Sequence, residues 1–167
     1  KIFQNSNGVF SDIGAGLPDN AYGDVAWGDY DNDGDLDLFV VGNNYSRLFR
    51  NDGNGAFVNT GFSFPGAYYQ CTVGWGDYDN DGYLDLLFSN YYSNQKLFRN
   101  TGGSGFTEIN SGQFISYYDY TSAAWGDYDN DGDLDFTAMG NSSAGIKSRL
   151  YRNDGSNVFT SLNSIFP

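Results

Sequence analysis

An all-β fold built from tandem repeats is predicted by three observations. The octapeptide Trp-Gly-Asp-Tyr-Asp-Asn-Asp-Gly occurs letter for letter at residues 27–34, 75–82 and 125–132, at intervals of 48 and 50 residues. Each copy runs into Leu-Asp and a short apolar segment, 36–41, 84–88 and 134–139. Each is followed by a second element, Leu48-Phe49-Arg50-Asn51, Leu97-Phe98-Arg99-Asn100 or Leu150-Tyr151-Arg152-Asn153, then a Gly/Asn turn and a Phe (Phe57, Phe106, Phe159). A weaker copy of the second half, Ile2-Phe3-Gln4-Asn5 with Phe10, opens the chain. The apolar segments are short, bounded by Gly, Asn and Ser, and lack helical periodicity, which makes them strands.

Each unit divides into four strands. Strand A precedes the acidic loop and carries small residues before its Trp: Ala26, Gly74 and Ala124. Strand B is the apolar run after the loop. Strand C holds the Leu-Phe-Arg-Asn motif. Strand D starts at the Phe, after turns such as Asn51-Asp52-Gly53-Asn54-Gly55, whose Gly and Asx residues suit a hairpin. A four-stranded unit of about 50 residues matches a blade of a β-propeller. A β-sandwich could be assembled from the same strands, but tandem repetition favours radial stacking. The sequence therefore reads as one β-propeller segment over 1–167. A leading C–D hairpin spans 1–12, followed by blades at 13–60, 61–110 and 111–167. Three four-stranded antiparallel repeats are too few for a closed ring, and open edges invite pairing. The chain is expected to be part of a longer ring, or to complete a ring by oligomerisation.

Composition removes several functions. The 167 residues include no His and a single Cys, Cys71. Serine- and cysteine-protease chemistry based on His, His-ligated zinc and an intrachain disulfide are all excluded. The net charge of −13 has the wrong sign for nucleic acid, and no apolar stretch approaches the length of about 20 residues that a membrane-spanning helix needs. With 14 Phe, 14 Tyr and 3 Trp against 17% charged residues, the chain has ample material for a core. Cys71 is expected to be a buried free thiol. Trp27, Trp75 and Trp125 are expected to lie in the core between blades.

The acid excess has an address. Fourteen of the 21 Asp and Glu residues lie in the three loops, as five, four and five. Counting from Asp29, carboxylates fall at positions 1, 3, 5 and 9, with Gly at position 6. The first loop gives Asp29, Asp31, Asp33 and Asp37, the second Asp77, Asp79, Asp81 and Asp85, and the third Asp127, Asp129, Asp131 and Asp135. Position 7 varies (Asp35, Tyr83, Asp133), as expected of a ligand that uses only its backbone carbonyl. Alternating Asp residues on a tight turn suit a hard cation with six to eight oxygen ligands, Ca2+ rather than the smaller Mg2+. The loop is not an EF-hand, because position 12 holds Val40, Phe88 and Ala138. Unscreened, such carboxylates would repel one another. About three Ca2+ ions, one per repeat, are expected.

The Asp-x-Asp-x-Asp-Gly-x-x-Asp loop after Trp-Gly, with Leu-Phe-Arg-Asn and Gly-x-Phe behind it, resembles the FG-GAP/VCBS repeat family. That family includes the calcium-binding blades of integrin alpha-subunit propellers, bacterial surface and secreted proteins, and fungal propeller lectins. The resemblance implies a β-propeller, often seven-bladed, with Ca2+ in the A–B hairpins and an extracellular or cell-surface setting.

Function is expected on the other face. The B–C and D–A loops lie opposite the acidic loops and are rich in Tyr: Tyr45, Tyr68, Tyr69, Tyr91, Tyr92, Tyr117, Tyr118 and Tyr120. Tyr beside Asn, Ser and Gln is suited to stacking on sugars or packing against a protein. The expected role is a non-catalytic binding or adhesion module for carbohydrate or an extracellular protein. Two other readings stand beside it: a self-assembling ring or filament, and a non-catalytic module of a secreted polysaccharide-active enzyme. The acids outside the loops are Asp12, Asp19, Asp24, Asp52, Glu108, Asp119 and Asp154, and they form no obvious catalytic pair. The basic residues around strand C are expected to pair with carboxylates or bridge blades. Asn44-Tyr45-Ser46 and Asn141-Ser142-Ser143 are glycosylation sequons.

Overall fold

The octapeptide loops each turn one strand back on the next, and the sheets grow outward from those hairpins. A computed structural model describes residues 1–19, 22–66, 71–89, 93–109, 114, 116–117 and 119–162. Among these, all regular structure is β-strand. No helix is long and apolar enough to cross a membrane.

The chain opens with a hairpin of β1 (Phe3–Ser6) and β2 (Val9–Asp12), which pair only with each other. The first four-stranded sheet is β3 (Asp24–Gly28), β4 (Asp37–Gly42), β5 (Tyr45–Asn51) and β6 (Phe57–Asn59), in sequence order. The second is β7 (Thr72–Gly76), β8 (Asp85–Ser89), β10 (Lys96–Asn100) and β11 (Phe106–Ile109). The third is β13 (Asp119–Gly126), β14 (Asp135–Ser142), β15 (Gly145–Asn153) and β16 (Phe159–Leu162). Every pairing is antiparallel, with Trp27 opposite Leu38, Trp75 opposite Leu86 and Trp125 opposite Phe136. These are the A–B–C–D units of propeller blades, and they do not close a ring.

One pairing had no signal in the sequence. The short strands β9 (Ser93–Asn94) and β12 (Ser116–Tyr117) pair antiparallel, with Tyr117 opposite Ser93. They tie the B–C connection of the second sheet to the segment that leads into the third.

Strand B is buried on both faces, so alternate residues serve different cores. Phe39, Val41 and Leu48 of the first sheet meet Leu86, Phe88 and Phe98 of the second, with Phe64 and Cys71 between them. Leu87 and Leu97 face the third sheet, where Phe136, Ala138, Tyr151, Phe114 and Phe159 complete a second core. Leu38, Val40 and Phe49 form a smaller cluster with Ile2 and Leu17. The aromatic rings meet mainly edge to face, as in Phe39–Phe64 at 4.9 Å and Phe114–Phe136 at 5.0 Å, an arrangement favoured by the ring quadrupole.

The sheets are stitched by the residues of the repeat itself. Trp75 Nε1 donates to the carbonyl of Ala26, and Trp125 Nε1 to that of Gly74, both at 3.3 Å. The glycine after each Trp makes room for the next Trp. A Cβ on Gly28 would stand 2.6 Å from the Trp75 ring, and one on Gly76 3.0 Å from Trp125. The close approach therefore falls one residue after the Trp, whereas a Cβ on Gly74 would sit at an ordinary 3.6 Å. Trp27 departs from the expected core position. It is 46% exposed, because among the described residues only the leading hairpin lies on its side of the first blade, leaving a cavity lined by Ile2, Phe3 and Trp27.

Two close approaches place the connections on opposite faces. Gly53, in a C–D turn, abuts the Asp35 carboxylate of the acidic loop. Gly66, in a D–A connection, abuts Asn44 of a B–C turn.

Candidate metal centres

Each acidic loop is held by its own carboxylates in the same way. The position-1 residue closes the turn: Asp29 accepts from the backbone N–H groups of Asp33 at 3.1 Å and Gly34 at 3.0 Å. Asp77 and Asp127 repeat this with Asp81/Gly82 and Asp131/Gly132. The position-5 residue accepts from position 7, as Asp33 does from Asp35 N–H at 2.9 Å, and Asp81 and Asp131 do the same.

Position 6 is the tight bend, with φ of 93° at Gly34, 90° at Gly82 and 96° at Gly132. That region strains a residue with a Cβ. Position 4 is also left-handed, at 59° in Asn32, 56° in Asn80 and 60° in Asn130. Asn tolerates this conformation better than most residues, which explains the Asn-Asp-Gly within each loop.

The position-9 carboxylates lie deepest. Asp37, Asp85 and Asp135 are fully buried at the start of strand B. In each, one oxygen accepts from the Tyr of the loop, as Asp37 does from Tyr30 N–H at 3.0 Å. The other accepts from the Asn of strand C, at 2.8 Å from Asn51, Asn100 or Asn153. Burial raises these groups despite the N–H donors, Asp37 to about 6 and Asp85 to about 7, and Asp135 in the same direction. Burial, then the charge of Asp33, raises Asp31 too.

Position 3 keeps one oxygen free of donors in two of the loops, although the other oxygen of Asp79 meets Arg99. Asp31 Oδ1 and Asp79 Oδ1 are buried and receive no hydrogen bond. Around them the loop carboxylates converge. Ligand oxygens lie within 4.8 Å of one another in the trios Asp29/Asp31/Asp33, Asp77/Asp79/Asp85 and Asp127/Asp129/Asp135. An all-oxygen donor set with an unpaired buried oxygen fits a hard divalent cation, which would supply charge neutralisation and cross-linking of the turn. The first trio draws on position 5, and the other two on position 9.

The loops differ in their surroundings. Asp35 lies against the Gly53 turn, while Asp133 accepts from Asn80 Nδ2 at 2.8 Å, across blades. Asn32 Nδ2 likewise donates to the Gly82 carbonyl at 2.9 Å. The second loop has Tyr83 in place of an acid, and there Arg99 reaches Asp79 and Asp81. Arg50 and Arg152 pair instead with Asp52 and Asp154, at 2.8 and 2.7 Å. Arg50, Arg99 and Arg152, the arginines of the repeated strand C motif, are thus carboxylate partners within their own blade.

The tyrosine face is only partly described. Tyr68, Tyr69, Tyr91, Tyr92 and Tyr118 lie outside the described residues. Tyr117 is placed in β12 and Tyr120 in β13 by their backbones. Tyr45 is half-buried against Leu38, Val40 and Phe49, with the Arg47 guanidinium 5.1 Å from its ring centre.

A profile of the FG-GAP-like repeat matches residues 29–88 and 77–138, each match running from one acidic loop into the next strand B. The chain belongs to the FG-GAP-like repeat family. Among curated proteins, none matches the chain. Among solved structures, the FG-GAP-like chain is similar to a lectin of Agrocybe aegerita, described for its specific recognition of non-reducing terminal N-acetylglucosamine. The TM-score is 0.54 at 20% identity, over 83% of this chain and 38% of the lectin chain. At that identity the likeness is one of fold. The FG-GAP-like chain spans well under half of the lectin's length.

Proposed function

We propose that the protein is a calcium-stabilised β-propeller module of the extracellular space that binds carbohydrate. The observation that carries the metal part is the threefold recurrence of converging carboxylates around a position-3 Asp, twice with a buried oxygen that no donor reaches. The proposed ligands are Asp29, Asp31, Asp33 and Asp37, then Asp77, Asp79, Asp81 and Asp85, then Asp127, Asp129, Asp131 and Asp135. The backbone carbonyls of Asp35, Tyr83 and Asp133 complete the three sets. Each ion would lock an A–B hairpin, and one that binds only the folded state at 100 times its Kd adds about 2.7 kcal/mol.

The carbohydrate part rests on the fold shared with a lectin and on the chemistry of the loops opposite the metal face. Tyr45, Tyr68, Tyr69, Tyr91, Tyr92, Tyr117 and Tyr118 are the proposed contacts. A tyrosine ring stacks on the apolar face of a sugar while its hydroxyl and the nearby Asn and Ser groups hydrogen-bond. The role is binding rather than catalysis, because the clustered acids recur equivalently in three loops and hold them in shape.

Two measurements test this. Melting in Ca2+ and in excess EGTA should differ by many degrees, and coincident curves would remove the structural metal. A glycan array probed in Ca2+ should give a consistent set of positive glycans. Failure to bind any glycan while the Ca2+-dependent melt persists would reject the carbohydrate reading and keep the metal one.

A further inference from the structure

Side-chain amides join the three acidic loops into one hydrogen-bonded path. Asp37 accepts from the Tyr30 N–H, and the Tyr30 carbonyl accepts from Asn100 Nδ2 at 2.8 Å. Asn100 donates its own N–H to Asp85 Oδ1, also at 2.8 Å. The other oxygen of Asp85 accepts from the Tyr78 N–H. From there the pattern repeats. Asn153 Nδ2 donates to the Tyr78 carbonyl and the Asn153 N–H to Asp135, both at 2.8 Å. The two Asn and the three Asp residues are buried, where hydrogen bonds are electrostatically strongest.

A second bridge joins each loop to the next, nearer the surface. Asn32 Nδ2 donates to the Gly82 carbonyl at 2.9 Å, and Asn80 Nδ2 to the Asp133 carboxylate at 2.8 Å. Among the described residues, the first loop reaches the third only through the second.

The bonded groups adjoin the proposed ligands. The Tyr30 and Tyr78 carbonyls stand in the peptide bonds that lead into Asp31 and Asp79. Asn32 lies between Asp31 and Asp33. The Gly82 carbonyl that it holds leads into Tyr83, whose N–H donates to Asp81 at 3.0 Å. Asn100 Oδ1 accepts from the Gly103 N–H at 2.8 Å, and that turn lies against the first loop. A Cβ on Gly103 would stand 3.0 Å from the Asp31 Cα.

On the reading of these loops as Ca2+ sites, we infer that neighbouring sites are coupled and fill cooperatively, with Asn32 and Asn80 as positioning residues for the loop that follows each. Holding Asp31 on a cation fixes the Tyr30 carbonyl and the Asn32 side chain. These in turn hold Asn100 and the peptide between Gly82 and Tyr83 where the second loop needs them. The ordering cost of the shared groups falls on the first loop to fill, so its neighbour binds more tightly. The effect is reciprocal between the two loops. Charge acts the other way, because doubly charged ions in adjacent loops repel each other. Positive coupling is therefore opposite in sign to what charge alone gives.

Amide NMR spectra recorded through a Ca2+ titration test the coupling loop by loop. The N–H groups of Gly34, Gly82 and Gly132 each donate to the position-1 carboxylate of their own loop and report on it separately. Asp31→Asn disables the first site. It should raise the Ca2+ midpoint at Gly82 about fivefold or more and move Gly132 by a smaller factor. Charge alone predicts the reverse at Gly82, because the first loop loses one carboxylate but also a doubly charged ion. Asn32→Gly removes the bridging amide, keeps every proposed ligand and accepts the left-handed backbone. In that background Asp31→Asn should move Gly82 by a smaller factor than in the parent. A Gly82 midpoint that Asp31→Asn leaves unchanged or lowers overturns the coupling, as does an equal shift at Gly82 and Gly132. An unchanged factor in the Asn32→Gly background overturns the role of Asn32. If none of the three glycines responds to Ca2+ in the parent, the metal reading itself fails and the coupling with it.

Discussion

The side chain of Asn100 joins two blades. Its Nδ2 donates to the carbonyl of Tyr30 at 2.8 Å across the blade boundary and to that of Leu84 at 3.1 Å in its own loop, while its backbone N–H donates to Asp85. Asn153 makes the same three bonds to Tyr78, Leu134 and Asp135. One residue type at the end of strand C thus fixes the loop of its own blade and the loop before it.

Replacing that amide should be costly where it is buried and cheap where it is not. Asn100→Ala removes a fully buried amide, stranding the carbonyls of Tyr30 and Leu84 and the Gly103 N–H, and should cost about 2 kcal/mol or more. Asn51→Ala removes two exposed bonds, one to the Leu36 carbonyl and one from the Gly53 N–H, and should cost about 1 kcal/mol. Urea midpoints of the two variants measure the difference, and equal shifts would refute the cross-blade role.

The glycine after each Trp makes a second contrast. Gly28→Ala places a methyl group 2.6 Å from the Trp75 ring. The ring is wedged between blades, so the substitution should destabilise by about 1–3 kcal/mol. Gly126→Ala meets nothing within 4 Å and should leave stability within about 0.5 kcal/mol of the parent. Thermal or urea unfolding of the two variants reads this directly.

Much of this architecture was legible from one repeated octapeptide. The exact recurrence of Trp27-Gly28-Asp29-Tyr30 marks where strand A ends, and the apolar run after Leu36 marks strand B, because local turn chemistry and burial pattern decide both. The partners across blades were not legible. Nothing in Leu97-Phe98-Arg99-Asn100 says that the amide crosses to Tyr30, although an Asn ending every copy was a signal that could have been followed. Trp27 was expected between blades because its octapeptide is identical to the others. Its exposure depends on what lies against that side of the sheet, which is a property of the array and not of the repeat. The β9–β12 pairing joins two dissimilar connections, so no repetition announced it. Within the loops, the converging trios are drawn from the acids at positions 1, 3, 5 and 9, but the spacing did not say which three meet or how they divide the labour. That division follows from which oxygens the backbone already occupies.

Cys71 has a testable state of its own. It is buried beside Phe64 and Phe88, and burial pushes its thiol up to about 11. A raised thiol keeps its proton longer in the folded chain than in the unfolded one. Its contribution to stability is therefore complete below the ordinary thiol range and is lost as pH rises from about 9 to about 11. At pH 8 the native thiol should resist iodoacetamide for far longer than the urea-unfolded chain. Equal rates in the two states would show that the thiol is accessible.

The two kinds of loop carboxylate should separate in their response to metal. Asp37 uses both oxygens for backbone N–H groups, from Tyr30 and Asn51. Asp37→Asn sets an amide NH2 against one of those donors, so it should lower the melting temperature even in EGTA, by about 1–3 kcal/mol in stability. Asp31 has a buried oxygen with no donor, and the charges of Asp33 and Asp29 press on it. Asp31→Asn relieves that repulsion and should leave the EGTA melt unchanged or slightly higher. The rise in melting temperature on adding Ca2+ should shrink, because one of the three proposed sites has lost a proposed ligand. The comparison needs only melts of the parent and both variants in Ca2+ and in EGTA. If Asp31→Asn lowers the EGTA melt as far as Asp37→Asn does, position 3 is a structural residue and its oxygen is not reserved for a cation.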